Sequence, residues 1–185
     1  MYVAVVHISM AGGNMKNEMP NSGEQTEEIV WEQVASEAAW SKRDSMGAVV
    51  FDGKMWLLGG WTPKRVNDVW YSSDGVNWHQ ATKEAPWGKR NVPCAVVYDN
   101  KIWIMGGAFR PEQGMYARRN DVWYSRDGKS WQQAIDNAPW SMQHGRAAAT
   151  AVVYDDRIWI MGGNASDFTH YNDVWSSQDG NCLLY

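Results

Sequence analysis

The side chains with the clearest capacity for chemistry in this sequence are arginines and aromatic rings, and they fall into two sets. The first is a column, Arg43, Arg90 and Arg146, each sixteen residues ahead of a Gly-Gly pair. Guanidinium forks match carboxylates and other anions, so three of them at the rim of a central channel would form an anion site. The competing role is pairing with Asp68, Asp121 or Asp173 of a recurrent Asn-Asp-Val-Trp segment, or with carbonyls, and the sequence weighs the two roles evenly. The second set stands in the segments after the glycine pairs: Trp61, Arg65, Phe109, Arg110, Tyr116, Arg118, Arg119, Phe168, His170 and Tyr171. Flat apolar rings beside guanidinium groups suit carboxylates or sugar hydroxyls, so these residues are the candidate ligand-binding face. The bland alternative is that some of the rings pack beneath their own loops.

Other chemistry is harder to assemble. His7, His79, His144 and His170 share neither a column nor a ligand spacing, so no metal site is expected. Glu112 and Asp167 are the carboxylates best placed for acid or base work, but neither has an evident partner. Cys94 lies in a strand pattern and reads as a small buried thiol rather than as the disulfide partner of Cys182. No catalytic residue and no cofactor is expected.

The elements that must position these side chains emerge from a repeat. Thirteen tryptophans stand against three phenylalanines, a skew expected when one residue type is reused at equivalent positions. Gly59-Gly60, Gly106-Gly107 and Gly162-Gly163 each close an apolar run containing Trp56, Trp103 or Trp159. Asn-Asp-Val-Trp follows at 67–70, 120–123 and 172–175, spaced 53 and then 52 residues. Ser-x-Asp-Gly comes next, with Trp78 and Trp131 three residues after the glycine in the first two copies. Four columns absorb twelve of the thirteen tryptophans and leave out Trp61.

Each period holds four segments of strand length rich in β-branched and aromatic residues, bounded by Asp, Asn and Gly. In the second copy these are Cys94 to Tyr98, Ile102 to Gly107, Asp121 to Ser125 and Ser130 to Ala134. Tight turns at Asp99-Asn100 and Asp127-Gly128 join them. A four-stranded antiparallel sheet repeated at about 50 residues is a propeller blade, whose apolar faces are buried by stacking on neighbours.

The Gly-Gly pair, the arginine sixteen residues before it and the tryptophan after it resemble the kelch motif across residues 31–180. The Ser-x-Asp-Gly-x-x-Trp hairpin also resembles the Asp-box of sialidase-like propellers, although there the glycine stands two residues after the Asp. That resemblance makes Asp74, Asp127 and Asp179 turn-formers rather than catalytic groups. The fold expected is an all-β, kelch-type (galactose oxidase central domain-like) propeller of about three four-stranded blades. Residues 1–28 form an irregular segment or a decayed blade, 29–35 a leading outer strand, 46–81 and 93–134 full blades, and 148–185 an incomplete one.

Kelch propellers place the first strand of each blade innermost, which brings the links after the glycine pairs to one face. Those links vary in length, whereas the Asp-Gly and Asp-Asn turns at the other end do not. Variable loops on a rigid scaffold are where recognition is built. The expectation is therefore a non-catalytic scaffold that recognises a protein or a glycan. The alternative is a sugar-modifying enzyme resembling kelch-type sialic acid mutarotases, which rests on fold analogy. In peptide-binding kelch propellers arginines at the place of Arg43, Arg90 and Arg146 meet acidic partners, so the resemblance implies such a role here.

Seventeen basic against twenty-one acidic residues in 185 give a net charge of -4, with no basic field for nucleic acid. No run approaches the roughly 20 apolar residues of a membrane span. Met1 to Gly13 lacks a basic residue ahead of its apolar run and reads poorly as a signal peptide, so a soluble protein is expected with its compartment open. Three blades fall short of the usual four to eight. Either two copies close a six-bladed ring as a homodimer, or the chain is truncated from a longer propeller, which the sequence slightly favours.

Overall fold

The computed structural model describes residues 29–111, 116–141 and 143–178. The sheets all lie within the unit Gln33–Tyr185. Strands are numbered in chain order. The first sheet runs β1 (Gly47–Phe51), β2 (Lys54–Thr62), β3 (Lys64–Ser72) and β4 (His79–Thr82), each paired antiparallel with the next. The second contains β5 (Cys94–Tyr98) and β6 (Lys101–Met105), then β9 (Val122–Ser125) and β10 (Trp131–Ile135). A small hairpin of β7 (Ala108–Phe109) and β8 (Ala117–Arg118) rises between β6 and β9. A third sheet has β11 (Thr150–Tyr154), β12 (Arg157–Met161) and β13 (Val174–Ser177) among the described residues. Pro139–Ser141 is a single 3-10 turn, and no α-helix is present among the described residues.

The turn chemistry explains why these segments pair as they do. Asp52-Gly53, Asp99-Asn100 and Asp155-Asp156 all have positive φ at both residues, the mirror-image turn that matches strand twist in a two-residue hairpin. At the Ser-x-Asp-Gly hairpins, Asp74 Oδ1 accepts from the amides of Val76 (2.9 Å) and Asn77 (2.7 Å), and Ser72 Oγ accepts from Gly75 N at 2.9 Å. Asp127 repeats this with Lys129 (2.8 Å) and Ser130 (2.7 Å). Hydrogen bonds from the Asn77 side chain and from these amides drive the Asp74 carboxyl far below the usual carboxylate range. Both carboxylates are turn-formers, as their spacing suggests, while Asp179 lies outside the described residues. Gly128 sits against the Trp56 ring with φ +70, so a methyl group there would collide with the indole.

Stacking of the sheets makes two cores. Phe51, Trp56, Leu58 and Val69 of the first sheet meet Ile102, Ile104 and Trp131 of the second, with Trp87 of the connecting segment. Val96, Trp103, Met105 and Val122 on the other side of the second sheet meet Ile158 and Ile160 of the third, with Trp140. Two columns of the repeated indoles also spend their N–H groups internally. Trp56, Trp103 and Trp159 donate to the carbonyls of Phe51, Tyr98 and Tyr154 at 2.8–2.9 Å. Trp70, Trp123 and Trp175 donate to Asp68, Asp121 and Asp173, each at 2.8 Å. The first strands of successive sheets are neighbours, β5 touching both β1 and β11. Crowding there explains the small residues: a Cβ added at Gly47 would lie 3.1 Å from that of Ala95. Cys94 is a free thiol in the same place, and burial pushes its pKa up to about 12.

Two expectations need correction. Residues 29–35 form no strand. Their composition suits one, but a strand is defined by a neighbour, and this segment has no ladder partner among the described residues. The links after the glycine pairs are also less loop-like than their lengths suggest. In the first sheet β2 and β3 continue as a paired ribbon through Gly60↔Val66, Trp61↔Arg65 and Thr62↔Lys64, turning at Pro63.

Candidate functional site

The arginine column resolves into the pairing role. Arg43 donates from both Nη atoms to Asp68 (2.7 and 2.9 Å) and to the Gly59 carbonyl (3.0 Å). Arg90 does the same with Asp121 (2.8 and 2.8 Å) and Gly106 O (2.9 Å), and Arg146 with Asp173 (2.6 and 2.8 Å) and Gly162 O (2.6 Å). All three side chains are 0–1 % exposed, so they do not line an open anion site. The Arg90 guanidinium is pushed down by burial and held up by Asp121, to a pKa of about 10, and remains charged at neutral pH. Burial alone would raise the Asp68 carboxyl, but the Arg43 and Trp70 hydrogen bonds outweigh it and leave it lowered. Asp173 is lowered chiefly by its bond to Arg146.

Each joint is a staple. The Arg90 backbone bonds to the first sheet, its N–H to Val66 O (3.2 Å) and its carbonyl to Gly60 N (3.0 Å), while its side chain grips the second. Arg146 repeats this between the second and third sheets through Arg119 O (2.9 Å) and Gly107 N (2.8 Å). The glycine pairs make the approach feasible: Gly106 has φ +58, and a Cβ there would strike the Arg146 carbonyl.

Around these joints the other set of residues comes together in part. Trp61 and Arg65 are direct cross-strand partners, and the Arg65 guanidinium lies 5.1 Å from the Trp61 ring and 5.0 Å from that of Tyr116. The Arg110 guanidinium stands 5.8 Å from the same Tyr116 ring centroid. These four residues, with Pro63, Lys64 and Lys89, line an open cleft of about 290 Å³. Four cations and no carboxylate line it among the described residues. Burial lowers the Arg65 pKa, Tyr116 opposes this, and Arg118 and Arg110 add to it by like-charge repulsion. The Asn91 side chain, which sequence reasoning missed, fixes the cleft by accepting from Arg65 Nε at 2.7 Å.

The remaining face residues are spread out. Arg118 donates from Nε to Asn164 Oδ1 (2.9 Å) and stands 5.6 Å from the exposed Phe168 ring. Asn164 also bridges to His170. Arg119 stacks on Phe109 at 4.4 Å and approaches Asp121 at 3.9 Å. Tyr171 turns inward: its ring lies 4.0 Å from the Arg146 guanidinium and its hydroxyl 2.6 Å from Ser141 Oγ, so it packs a joint rather than a ligand surface. Asp167 accepts from the Thr169 amide at 3.0 Å, which lowers its pKa and makes it a weaker base. Glu112 lies outside the described residues. Among the described residues there is no cluster of three or more His, Cys, Asp or Glu placed to hold a metal ion, and no helix long and apolar enough to cross a membrane.

No family model and no curated protein matches this chain. Among solved structures, that of YjhT, a kelch-type propeller, superposes with a TM-score of 0.63 at 18 % identity, over 75 % of this chain and 43 % of that one. This chain therefore spans less than half the length of that propeller. At such identity the likeness speaks for architecture alone. The chain is an all-β protein of antiparallel blades with the fold of a kelch-type propeller.

Proposed function

We propose that this chain is a kelch-type repeat protein working as a non-catalytic binding scaffold, and that its loop face takes an anionic ligand, protein or glycan. The observation that carries this reading is the cleft of Trp61, Arg65, Arg110 and Tyr116. The Arg65 guanidinium lies beside two aromatic rings with its Nε held by Asn91, and no described carboxylate neutralises the Lys64, Lys89 and Arg110 charges around it. Pre-oriented guanidinium groups beside flat rings favour a ligand that carries a negative charge next to an apolar or sugar face. The rigid ribbon under Trp61 and Arg65 reduces the ordering cost on binding.

Peptide and glycan arrays that include acidic and neutral members test the reading. Acidic members are expected to bind, and Trp61→Ala combined with Tyr116→Ala is expected to weaken every such ligand at least tenfold. Ligands retained unchanged by that double variant would place the binding surface elsewhere. The second reading, a sugar-modifying enzyme resembling kelch-type sialic acid mutarotases, is favoured by the same arginine- and aromatic-lined cleft and by the shared fold. Anomer exchange followed by NMR on sialic acid and simple hexoses separates the two. A rate above buffer supports the enzyme, and a rate equal to buffer removes it.

A further inference from the structure

Arg65 and Arg118 share a column, since each stands two residues before the Asn of an Asn-Asp-Val-Trp segment. The structure treats them alike. Arg65 Nε donates to Asn91 Oδ1 at 2.7 Å and Arg118 Nε to Asn164 Oδ1 at 2.9 Å, the acceptor coming from the next repeat in both cases. The two Asn residues do not share a column. Asn91 follows Arg90 and bridges to Ala108, whereas Asn164 follows Gly163 and bridges to Ala147, which follows Arg146. The bridge is equivalent in the two repeats, and its Asn has moved from one strand to the other, so the acceptor is kept where the sequence position is not. Each guanidinium also meets a ring from the following link, Arg65 that of Tyr116 at 5.0 Å and Arg118 that of Phe168 at 5.6 Å. Among the described residues neither guanidinium gives an Nη hydrogen bond to protein.

Phe168 adds an independent observation. Its ring is 62 % exposed, and its backbone has φ +67, a region that a bulky side chain enters only under strain. Gly, Asn or Asp would sit there with less cost. The surrounding loop nevertheless fixes it. The Phe168 N–H donates to Ala165 O at 3.0 Å, the Ala165 N–H to Thr169 O at 2.9 Å, and the Arg118 N–H to Ser166 Oγ at 2.9 Å. Burial does not account for an open ring at a strained position, whereas a ligand lying on that ring beside Arg118 does.

We infer that Arg118, Asn164 and Phe168 form a second anion subsite, one repeat along the face from Arg65, Asn91 and Tyr116, and that the two together take an acidic oligosaccharide with a carboxylate on each of two sugar rings. The inference rests on the reading of the Trp61 cleft as an anion site and adds to it a second subsite and a ligand class. The class follows from what each subsite presents, a guanidinium with free Nη groups next to an open ring. A sugar acid carries its carboxylate fixed on a ring with an apolar C–H face, so one unit meets both groups at once. An Asp or Glu side chain brings the same charge on a flexible stem without a flat face. Burial is the main cause of the lowered Arg65 pKa and repulsion from Arg118 adds to it, so the two guanidinium groups lie within each other's field. A ligand with two negative charges relieves that repulsion, and its second contact is intramolecular once the chain spans both subsites.

Titration calorimetry on the intact chain with oligogalacturonates of increasing length, their neutral methyl esters and Asp- and Glu-rich peptides tests both the second subsite and the class. Affinity is expected to rise at least tenfold from the single sugar acid to the longer oligomers, and the esters are expected not to bind. Arg118→Ala is expected to erase the gain with length while the single unit still binds at Arg65. Phe168→Asn is expected to weaken the longer oligomers at least tenfold while the urea midpoint holds or rises, because Asn accepts the left-handed backbone that strains Phe. An affinity independent of length, a gain that survives Arg118→Ala, or a Phe168→Asn variant that unfolds more readily and binds unchanged overturns the second subsite and leaves the Trp61 cleft standing. Acidic peptides bound in preference to the oligomers overturn the oligosaccharide. Failure of every acidic probe to bind overturns this inference together with the reading on which it rests.

Discussion

Arg90 and Arg65 show how position governs what one residue type does in this molecule. Arg90 is fully buried, gives both Nη atoms to Asp121, and also reaches the carbonyls of Gly106 and Trp87. Arg65 gives one bond to the Asn91 side chain and leaves the rest of its guanidinium beside Trp61 and Tyr116, in an open cleft with other cations. Charge in the first region is neutralised, so it holds two blades in register. In the second, no described carboxylate stands among the cleft residues, and the proposed function assigns that charge to a ligand. The blade joints and the loop face are therefore separable, and each can be broken without the other.

The largest effect is expected at the joint. Arg90→Ala leaves Asp121 without its bidentate partner in a nearly dry site, together with an uncapped Gly106 carbonyl. Breaking a buried pair from one side costs about 3–5 kcal/mol. Urea unfolding should show a loss of that order, while the Trp61 cleft keeps its ligand under conditions where the variant is still folded. A loss within about 1 kcal/mol, the range of exposed pairs, would show that Arg90 is not a staple.

Acid should weaken the same joints next. The carboxyls of Asp68 and Asp173 titrate lower in the folded chain than in the unfolded one, so the folded state binds fewer protons as pH falls. Their contribution is fully present above the unfolded value of about 4 and is lost as pH drops through the folded values below it. Urea midpoints measured down through this window should fall, and Asp173→Asn should flatten the decline. An unchanged slope in that variant would remove the Arg146 joint from the acid response.

The repeat made most of the joint readable before any coordinates. Arg and Asp recur together in all three copies, as do the tryptophans whose N–H groups meet those Asp residues, so the pairing was in view beside an anion site of equal weight. What stayed open was the geometry. Spacing alone cannot say whether a guanidinium turns toward a neighbour or a channel, and here the carbonyls of Gly59, Gly106 and Gly162 settle it. On the loop face, Trp61 was conspicuous because it escapes the columns. Asn91 was not, since it follows a repeated arginine at a place where the other copies carry Asp44 and Ala147. Tyr171 was misplaced because an aromatic that breaks a repeat can serve a joint as well as a ligand. Residues 29–35 have strand composition, but pairing depends on an edge that lies elsewhere in the fold.

The smallest stability effect separates the two regions most sharply. Arg65→Ala removes one charge-assisted bond to Asn91 and two partly solvated cation–π contacts, with no buried carboxylate left behind. Such contacts are worth about 1–2 kcal/mol together in a half-open site, well under the loss expected for Arg90→Ala. Binding should respond in the opposite sense: an acidic ligand found on the arrays should lose at least tenfold in affinity with Arg65→Ala, and Arg65→Lys should recover only part of it, because an ammonium keeps the charge but not the planar fork beside two rings. Titration calorimetry paired with urea unfolding on both variants reads the two quantities side by side. If Arg65→Ala unfolds as readily as Arg90→Ala while its ligand affinity is unchanged, the cleft is another structural joint, and the division between holding blades and holding ligand fails at the residue where it is drawn most clearly.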